Sequence, residues 1–235
     1  MTNTVLSCLH ITKRFVSRGK TTDVFCDISL DVHKGEIVVI RGRSGTGKST
    51  LLQILAGLDR PTAGRVEITG RTLEDLSAGE LADLRRQTIG FIFQSFNLIP
   101  SWTAGQNVEA ALIHTQLTRP ERHRKMRDIL ERLELGDRID YLPSELSVGQ
   151  QQRVAIARAL VHAPTIVFAD EPTGEVDPET AKSIMDCLVG LVRANGTSLI
   201  VCTHGEFAPE TADQLYLLQD GRIELSHTAV HRTFP

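Results

Sequence analysis

The sequence predicts an α/β fold whose core is a mainly parallel sheet flanked by helices. A continuous apolar run, residues 38–40, precedes a glycine-rich loop and a helical pattern, and a second run, residues 166–169, ends in two acidic residues. Continuous apolar runs are typical of strands buried on both faces, as in parallel sheets. Residues 102–160 show helical periodicity and little strand pattern, which predicts a helical insertion in the α/β chain.

The other elements follow from periodicity and turn residues. Residues 4–32 alternate apolar and polar side chains in two stretches, which predicts half-buried strands. The other predicted elements are strands at 37–40, 65–70, 89–93, 165–171 and 197–203, a closing hairpin of 213–219 and 222–225, and helices at 51–56, 77–87, 103–135, 147–160 and 178–194.

Length and composition indicate a globular chain. At 235 residues it forms one large domain, or one domain with a subdomain, and can bury a sizeable core. The net charge is -3, and the scattered basic residues argue against a nucleic-acid partner. No apolar run approaches the roughly 18 residues of a membrane span. The four cysteines show neither metal-binding nor disulfide spacing, so we expect an intracellular chain.

The loop after the first buried strand, Gly42–Ser49, matches the phosphate-binding pattern Gly-x-x-x-x-Gly-Lys-Ser. Glycines let the backbone curl so that successive N–H groups point at phosphate oxygens, and the following helix aims its positive end there. We expect Lys48 to reach the β- and γ-phosphates and Ser49 to ligate Mg²⁺. The alternative is an ordinary glycine-rich turn, but the strand–loop–helix context favours the phosphate loop.

Two acids and a histidine follow other strands of the predicted sheet. Asp170 comes at the end of its strand, where it is placed to hold Mg²⁺, and Glu171 is a candidate base for an attacking water. The alternative, that both acids cap the next element, is disfavoured by the phosphate loop upstream. His204 lies at the tip of another strand, at the sheet edge where ligands of such folds bind, although a single histidine is more often structural.

Two aromatic features have open interpretations. Phe15, beside the first strand, either packs at an edge or serves as a platform for a purine ring. The segment 95–103 contains Phe96, Pro100 and the only tryptophan, Trp102. It is either a loop folded over the core or a docking surface for an apolar partner.

Together these motifs resemble the ATPase subunits of ATP-binding-cassette (ABC) transporters, from about residue 6 to residue 225. The matching segments are the Walker A loop Gly42–Ser49, the Q-loop glutamine Gln94, the signature motif Leu146–Gln150, Walker B Ile166–Asp170, the catalytic glutamate Glu171, the D-loop Gly174–Asp177 and the switch histidine His204. Segments 57–64 and 90–100 are similar to the branch that contains lipoprotein-releasing and macrolide-exporting ATPases.

The resemblance implies the P-loop ABC ATPase fold in a single domain, residues 1–235. A catalytic core with an N-terminal antiparallel β subdomain would comprise about 1–94 and 163–235, and a helical subdomain with the signature motif about 95–162. The implied cofactors are ATP and Mg²⁺. Residues implied to bind ATP are Phe15, Arg43, Ser44, Gly45, Thr46, Gly47, Lys48, Ser49, Thr50, Ser147, Gly149 and Gln150. Catalytic roles are implied for Lys48, Gln94, Glu171 and His204, and Mg²⁺ ligation for Ser49, Gln94 and Asp170.

The implied assembly is a head-to-tail homodimer around two ATP molecules, in which Ser147 and Gly149 of one chain complete the Walker A site of the other. An integral membrane permease subunit would dock near Phe96–Trp102, which places the chain in the cytoplasm, peripheral on the inner face of the membrane. One alternative is a soluble ABC-type ATPase acting on nucleic acid or ribosomes, but there is no basic surface or second cassette. Another is a non-hydrolysing regulator, disfavoured by Glu171 and His204.

Three departures from the family pattern bear on the dimer. Val148 stands where glycine is usual. Because a β-branched residue disfavours positive φ, either the turn does not require positive φ at this position or the turn is strained. Arg43 in the Walker A loop and Glu175 in the D-loop are both unusual and opposite in charge. We hypothesise that these two side chains pair across the dimer interface.

Overall fold

The computed structural model describes residues 3–17, 19–204 and 211–228. Its strands are β1 (Thr4–Ser17), β2 (Lys20–His33), β3 (Ile37–Arg41), β4 (Ala63–Ile68), β5 (Arg71–Thr72), β6 (Ile89–Ile92), β7 (Ile166–Asp170), β8 (Ser198–Thr203), β9 (Gln214–Gln219) and β10 (Arg222–Thr228). Its α-helices are α1 (Lys48–Leu55), α2 (Ala78–Thr88), α3 (Ala104–Glu109), α4 (Arg119–Arg132), α5 (Val148–Leu160) and α6 (Pro178–Asn195).

The chain divides into two compact units. One comprises the described residues of Met1–Asp83 and Ser198–Pro235, and the other is Leu84–Thr197, so that the boundary falls within α2. The sequence-based division at residues 94/95 and 162/163 stays a prediction. Within the described ranges, no helix combines the length and the apolar character that a membrane crossing requires.

The first unit contains an antiparallel sheet and a mostly parallel one. The antiparallel sheet has the order β2-β1-β4-β5, and its inner positions, such as Leu6 and Ile28, are fully buried. In the other sheet, β3 lies between β8 and β9 and pairs in parallel with both, while β10 pairs antiparallel with β9. All of Ile37–Ile40 is buried, which is why this strand appears as a continuous apolar run in the sequence.

The second unit contains the parallel pair β6–β7 and the helices α3–α6. The helical stretch predicted at 103–135 consists of two helices, because α3 ends at Glu109 and α4 begins at Arg119. A capping box at Thr118 and a proline in the first turn define the start of α4. On α5, apolar residues such as Val154, Ile156 and Leu160 are buried, which fixes the helix that begins at the signature motif.

Candidate functional site

The glycine-rich loop joins β3 to α1 within the first unit. Gly45 has φ +80° and Gly47, the residue before α1, has φ +95°, both in the left-handed region that disfavours side chains. A Cβ on Gly47 would lie 2.5 Å from Cγ1 of Val24, so both conformation and space require glycine there. Arg43, Ser44 and Gly45 are exposed, whereas Thr46, Ser49 and Thr50 are half-buried. The loop thus presents its first half to solvent at the start of a helix.

Lys48, the first residue of α1, is only 5% exposed. Its Nζ donates to the carbonyl oxygens of Gly42 at 2.8 Å and Arg43 at 3.1 Å, so the ammonium is held against the beginning of the loop. An ammonium beside a helix N-terminus and a curled loop is suited to a polyanion, since all three carry positive charge or positive dipole ends.

His204 lies at the same end of the first unit as the glycine-rich loop. The register pairs Arg41 of β3 with Thr203 of β8, so the residues that follow these two, Gly42 and His204, leave the sheet side by side. The His204 side chain is exposed, and the Cys202 thiol contacts the Lys48 carbonyl at 3.7 Å. The structure therefore brings His204 to the beginning of the glycine-rich loop.

The acidic pair lies at the end of β7 in the second unit. Asp170 and Glu171 are 7% and 8% exposed. Glu171 has φ +46°, a left-handed conformation that is unfavourable for a residue with a side chain and that clusters at functional sites. A Cβ on Gly174 would lie 3.5 Å from the Glu171 carbonyl oxygen and 3.7 Å from Nε2 of Gln94. Gln94, two residues after β6, is therefore near Glu171, and the second unit brings these predicted residues together.

The signature motif forms the N-terminus of α5. Ser147 is the N-cap: its hydroxyl accepts from the Gln150 N–H at 3.3 Å, and its own N–H donates to Gln150 Oε1 at 3.0 Å. Val148 is the first helical residue and does not have positive φ, so valine fits this position without strain. Gly149 is needed for helix packing, because a Cβ there would lie 2.8 Å from Cγ2 of Thr180 in α6.

Phe15 lies on β1 with 48% of the residue exposed. The Lys13 ammonium lies over its ring, 5.0 Å from the centroid, and also contacts Oδ2 of Asp59 at 2.7 Å and the carbonyl oxygen of Arg60 at 2.8 Å. Burial raises the pKa of Asp59, but the hydrogen bonds from Lys13 and the Arg60 N–H outweigh it, so the pKa lies below its ordinary value. Phe15 is therefore an exposed ring that packs against an anchored ammonium, that of Lys13.

Two residues that no sequence pattern predicts hold the segment 95–103. The guanidinium of Arg158 on α5 donates to the carbonyl oxygens of Asn97 at 2.5 Å and Phe96 at 2.6 Å. Asn107 on α3, 1% exposed, accepts from the Ile99 N–H at 2.7 Å and donates to the carbonyls of Ile99, Trp102 and Thr103. Arg158 is largely buried, and burial lowers its pKa. The segment is an anchored loop, and no local sequence signal predicts either anchor.

The residues in each unit fit the predicted ligands. Left-handed glycines, a buried lysine and a helix start suit the phosphates of ATP, and the buried carboxylate of Asp170 suits a hard cation such as Mg²⁺. Within residues 3–17, 19–204 and 211–228, no cluster of three or more His, Cys, Asp or Glu side chains is arranged to hold a metal ion. A cation bound at Asp170 would therefore need further ligands, such as hydroxyl, amide and phosphate oxygens.

Comparisons with known proteins point to one family. A family model described as "ABC transporter" matches residues 25–174. The macrolide export ATP-binding/permease protein MacB of Brucella melitensis biotype 1 is 46% identical over 213 residues, which cover 91% of this chain and 33% of MacB. The uncharacterized ABC transporter ATP-binding protein YknY of Bacillus subtilis strain 168 is 41% identical over 214 residues, with 91% of this chain and 93% of YknY covered. The chain thus spans about one third of the length of the macrolide-export relative.

Solved structures agree with the sequence matches. A dimeric structure of a post-hydrolysis state of the ATP-binding cassette MJ0796, bound to ADP and Pi, matches with a TM-score of 0.89 and 37% identity, covering 96% of this chain and 99% of that one. A second dimeric structure of MJ0796, described as a bacterial ABC transporter cassette, matches with a TM-score of 0.87 and 39% identity. The match covers 93% of this chain and 96% of that one. The predicted fold class is confirmed.

Proposed function

This chain belongs to the ABC transporter family and is an ATPase cassette of that family, and we propose that it hydrolyses ATP as a homodimer to drive a separate membrane subunit. The resemblance predicted from the motifs is thereby confirmed. The observation that carries the proposal is the position of the buried Lys48 ammonium, which donates hydrogen bonds to the carbonyl oxygens of Gly42 and Arg43 at the start of α1. This arrangement of positive groups at a helix N-terminus suits the β- and γ-phosphates.

ATP binding is assigned to the glycine-rich loop and Phe15. The backbone N–H groups of residues 43–50 cradle the phosphates, Lys48 neutralises the β- and γ-phosphates, and Phe15 stacks on the adenine. The Ser49 hydroxyl, the Gln94 amide and the Asp170 carboxylate would hold a Mg²⁺ ion. When bound, this ion would supply charge neutralisation to the phosphate groups.

Hydrolysis is assigned to Glu171. Its carboxylate orients the attacking water and accepts a proton from it, while His204 donates a hydrogen bond toward the γ-phosphate. The 8% exposure of Glu171 supports this role, because a carboxylate shielded from bulk solvent interacts more strongly with a single bound water. Gln94, close to Glu171, connects the cation site to the loop 95–103 that follows it.

The dimer completes each site with the signature motif of the other chain. At a helix start, the first N–H groups lack intrahelical acceptors and form the positive end of the helix dipole. In α5 the Ser147 side chain caps only the Gln150 N–H, so the N–H groups of Val148 and Gly149 are available for a γ-phosphate. The dimeric MJ0796 cassettes support a dimer. Ser147, Gly149 and Gln150 are therefore assigned to ATP bound mainly by the partner.

The proposed partner is an integral membrane permease subunit that docks on the loop 95–103. MacB, of which this chain covers about one third, is itself named an ATP-binding/permease protein, which supports a permease as the occupant. The partner would place the chain in the cytoplasm, peripheral on the inner face of the membrane. The net charge of -3 disfavours the alternative of a nucleic-acid partner.

The test is Glu171→Gln, which keeps the size of the side chain and removes the base. We expect hydrolysis to fall by at least about a hundredfold, the lower range for a general base, while ATP binding persists. Because the nucleotide then stays bound, a dimer should accumulate with ATP and not with ADP in size-exclusion chromatography. Glu224→Gln, an exposed acid on β10, is the control and should hydrolyse normally. A monomer under both conditions would contradict the dimer assignment, and normal hydrolysis by Glu171→Gln would contradict the role of this residue.

A further inference from the structure

Lys13 is a buried lysine that the proposed mechanism does not use. Only 8% of the residue is exposed, although lysine is almost never fully buried unless its charge is paired. The ammonium donates to Oδ2 of Asp59 and to the carbonyl oxygen of Arg60, and both acceptors belong to the turn after α1. The lysine therefore has a defined position, anchored outside its own strand.

The same ammonium lies over the ring of Phe15, 5.0 Å from the centroid. A cation within about 6 Å of an aromatic centroid is attracted by the negative face of the ring. Because the ammonium covers one face of the ring and Phe15 is 48% exposed, the ring offers its other face to a ligand. Two residues apart on β1, the lysine and the phenylalanine point to the same side of the strand.

Backbone contacts tie this part of β1 to the turn after α1. The Arg14 N–H donates to Oγ1 of Thr62 at 3.0 Å, and the Thr62 N–H donates to the carbonyl oxygen of Thr12 at 2.8 Å. The turn at 59–62 follows closely on α1, the helix that begins with Lys48. The ring of Phe15 is thus held at a fixed place relative to α1, the helix that follows the phosphate loop.

We propose that Lys13 is a positioning residue for the base of the bound nucleotide. Anchored by Asp59 and the Arg60 carbonyl, it orients the Phe15 ring so that one face meets the purine at the distance set by the phosphate loop. The proposal rests on the proposed function, in which Phe15 stacks on the adenine. A lysine that only joins β1 to the turn would stabilise the fold and have no specific effect on the base.

The experiment compares a ligand that has a base with one that lacks it. Dissociation constants of ATP and of inorganic tripolyphosphate are measured calorimetrically for the unmodified chain, Lys13→Met and the control Lys20→Met at an exposed position of β2. We expect Lys13→Met to weaken ATP binding about five- to thirtyfold, the range of cation–π and base-stacking contributions, and to leave tripolyphosphate binding within about twofold. Lys13→Arg retains the charge over the ring and should restore most of the ATP affinity.

A second comparison tests whether Lys13 acts through Phe15. In the Phe15→Ala background, Lys13→Met should weaken ATP binding no further, because there is no ring left to position. The proposal would be overturned if Lys13→Met weakened the binding of ATP and tripolyphosphate equally. It would also be overturned if Lys13→Met weakened ATP binding as much in the Phe15→Ala background as in the unmodified chain. If Lys13→Met does not fold, Asp59→Asn loosens the anchor and should show a smaller loss confined to ATP; unchanged ATP affinity would overturn the proposal. If the unmodified chain binds no ATP, the proposed function itself fails, which is a distinguishable result.

Discussion

Two loops of this chain take up left-handed backbone conformations by different means. In the phosphate loop the left-handed residues are Gly45 and Gly47, for which positive φ costs little. In the loop 95–103 they are Phe96 and Asn97, at φ +59° and +49°, and neither is a glycine. Asparagine tolerates this region better than other residues, but a phenylalanine costs about 1–2 kcal/mol there, so the second loop needs external support.

The supports of the second loop come from distant parts of the second unit. Arg158, more than sixty positions from the carbonyls that it binds, donates to both left-handed residues, and Asn107 holds the other end of the loop. The phosphate loop instead carries its conformation in its own residues, with Lys48 and Thr46 bonded to carbonyls at its beginning. One loop is determined locally and the other by tertiary contacts, and the two should respond differently to mutation.

The largest effect is expected at the locally determined loop. Gly47→Ala combines positive φ with a Cβ 2.5 Å from Val24, so ATP affinity should fall by about 3–4 kcal/mol, several hundredfold. Gly45→Ala has positive φ but no atom within 4 Å of its Cβ, so we expect about 1–2 kcal/mol, roughly tenfold. Calorimetric ATP binding measures both, with thermal unfolding as a check. Equal losses would mean that space at Gly47 is not limiting.

The next effect concerns the anchor of the second loop. Arg158→Met removes two charge-assisted hydrogen bonds, to the carbonyls of the half-buried Phe96 and the exposed Asn97, which should cost about 2–3 kcal/mol in urea unfolding. Amide exchange at residues 96–99 should accelerate, while ATP affinity stays within about twofold, because the phosphate loop does not depend on this anchor. Arg132→Met, at an exposed position, is the control. Unchanged exchange in Arg158→Met would show that the loop holds its own conformation.

The side chains of the second loop test its proposed role as a docking surface. Phe96→Ala and Leu98→Ala should each weaken complex formation with the membrane subunit by about 1–3 kcal/mol, as expected for interface anchors, and spare basal ATPase activity. Ile113→Ala removes an apolar side chain that is 53% exposed outside the loop and should have no effect on the complex. Pull-down of the co-expressed membrane subunit measures this. Undiminished capture by both loop variants would count against the docking surface.

The smallest effect is expected for Arg43 and Glu175, two exposed residues that we hypothesise to pair across the dimer interface. A solvent-exposed pair contributes about 0–1 kcal/mol, whereas a pair desolvated on dimer closure should couple by about 1.5 kcal/mol or more. A double-mutant cycle with Arg43→Ala and Glu175→Ala, in the Glu171→Gln background, isolates this term in ATP-driven dimerisation. Coupling within error of zero at low salt would leave the two residues unconnected.

The sequence by itself determined the fold class and the family, and it predicted the residues of the site. The phosphate loop, the acids after β7 and the cap of α5 could be found because each depends on neighbouring residues and on strand or helix periodicity. The branch was also predicted from contiguous segments, and the macrolide export protein MacB is among the relatives of this chain. Local chemistry was sufficient wherever the residues that act together are adjacent in the chain.

The tertiary structure alone decided which side chains support these motifs. The contact of Lys13 with the turn at Asp59, the anchors Arg158 and Asn107, and the left-handed conformation of Glu171 have no signature in the adjacent sequence. Val148 left two interpretations open until the structure placed it as an ordinary helical residue. The physical reason is that these features are hydrogen bonds and packing contacts whose partners come together only when separate segments fold, and neither periodicity nor spacing records them.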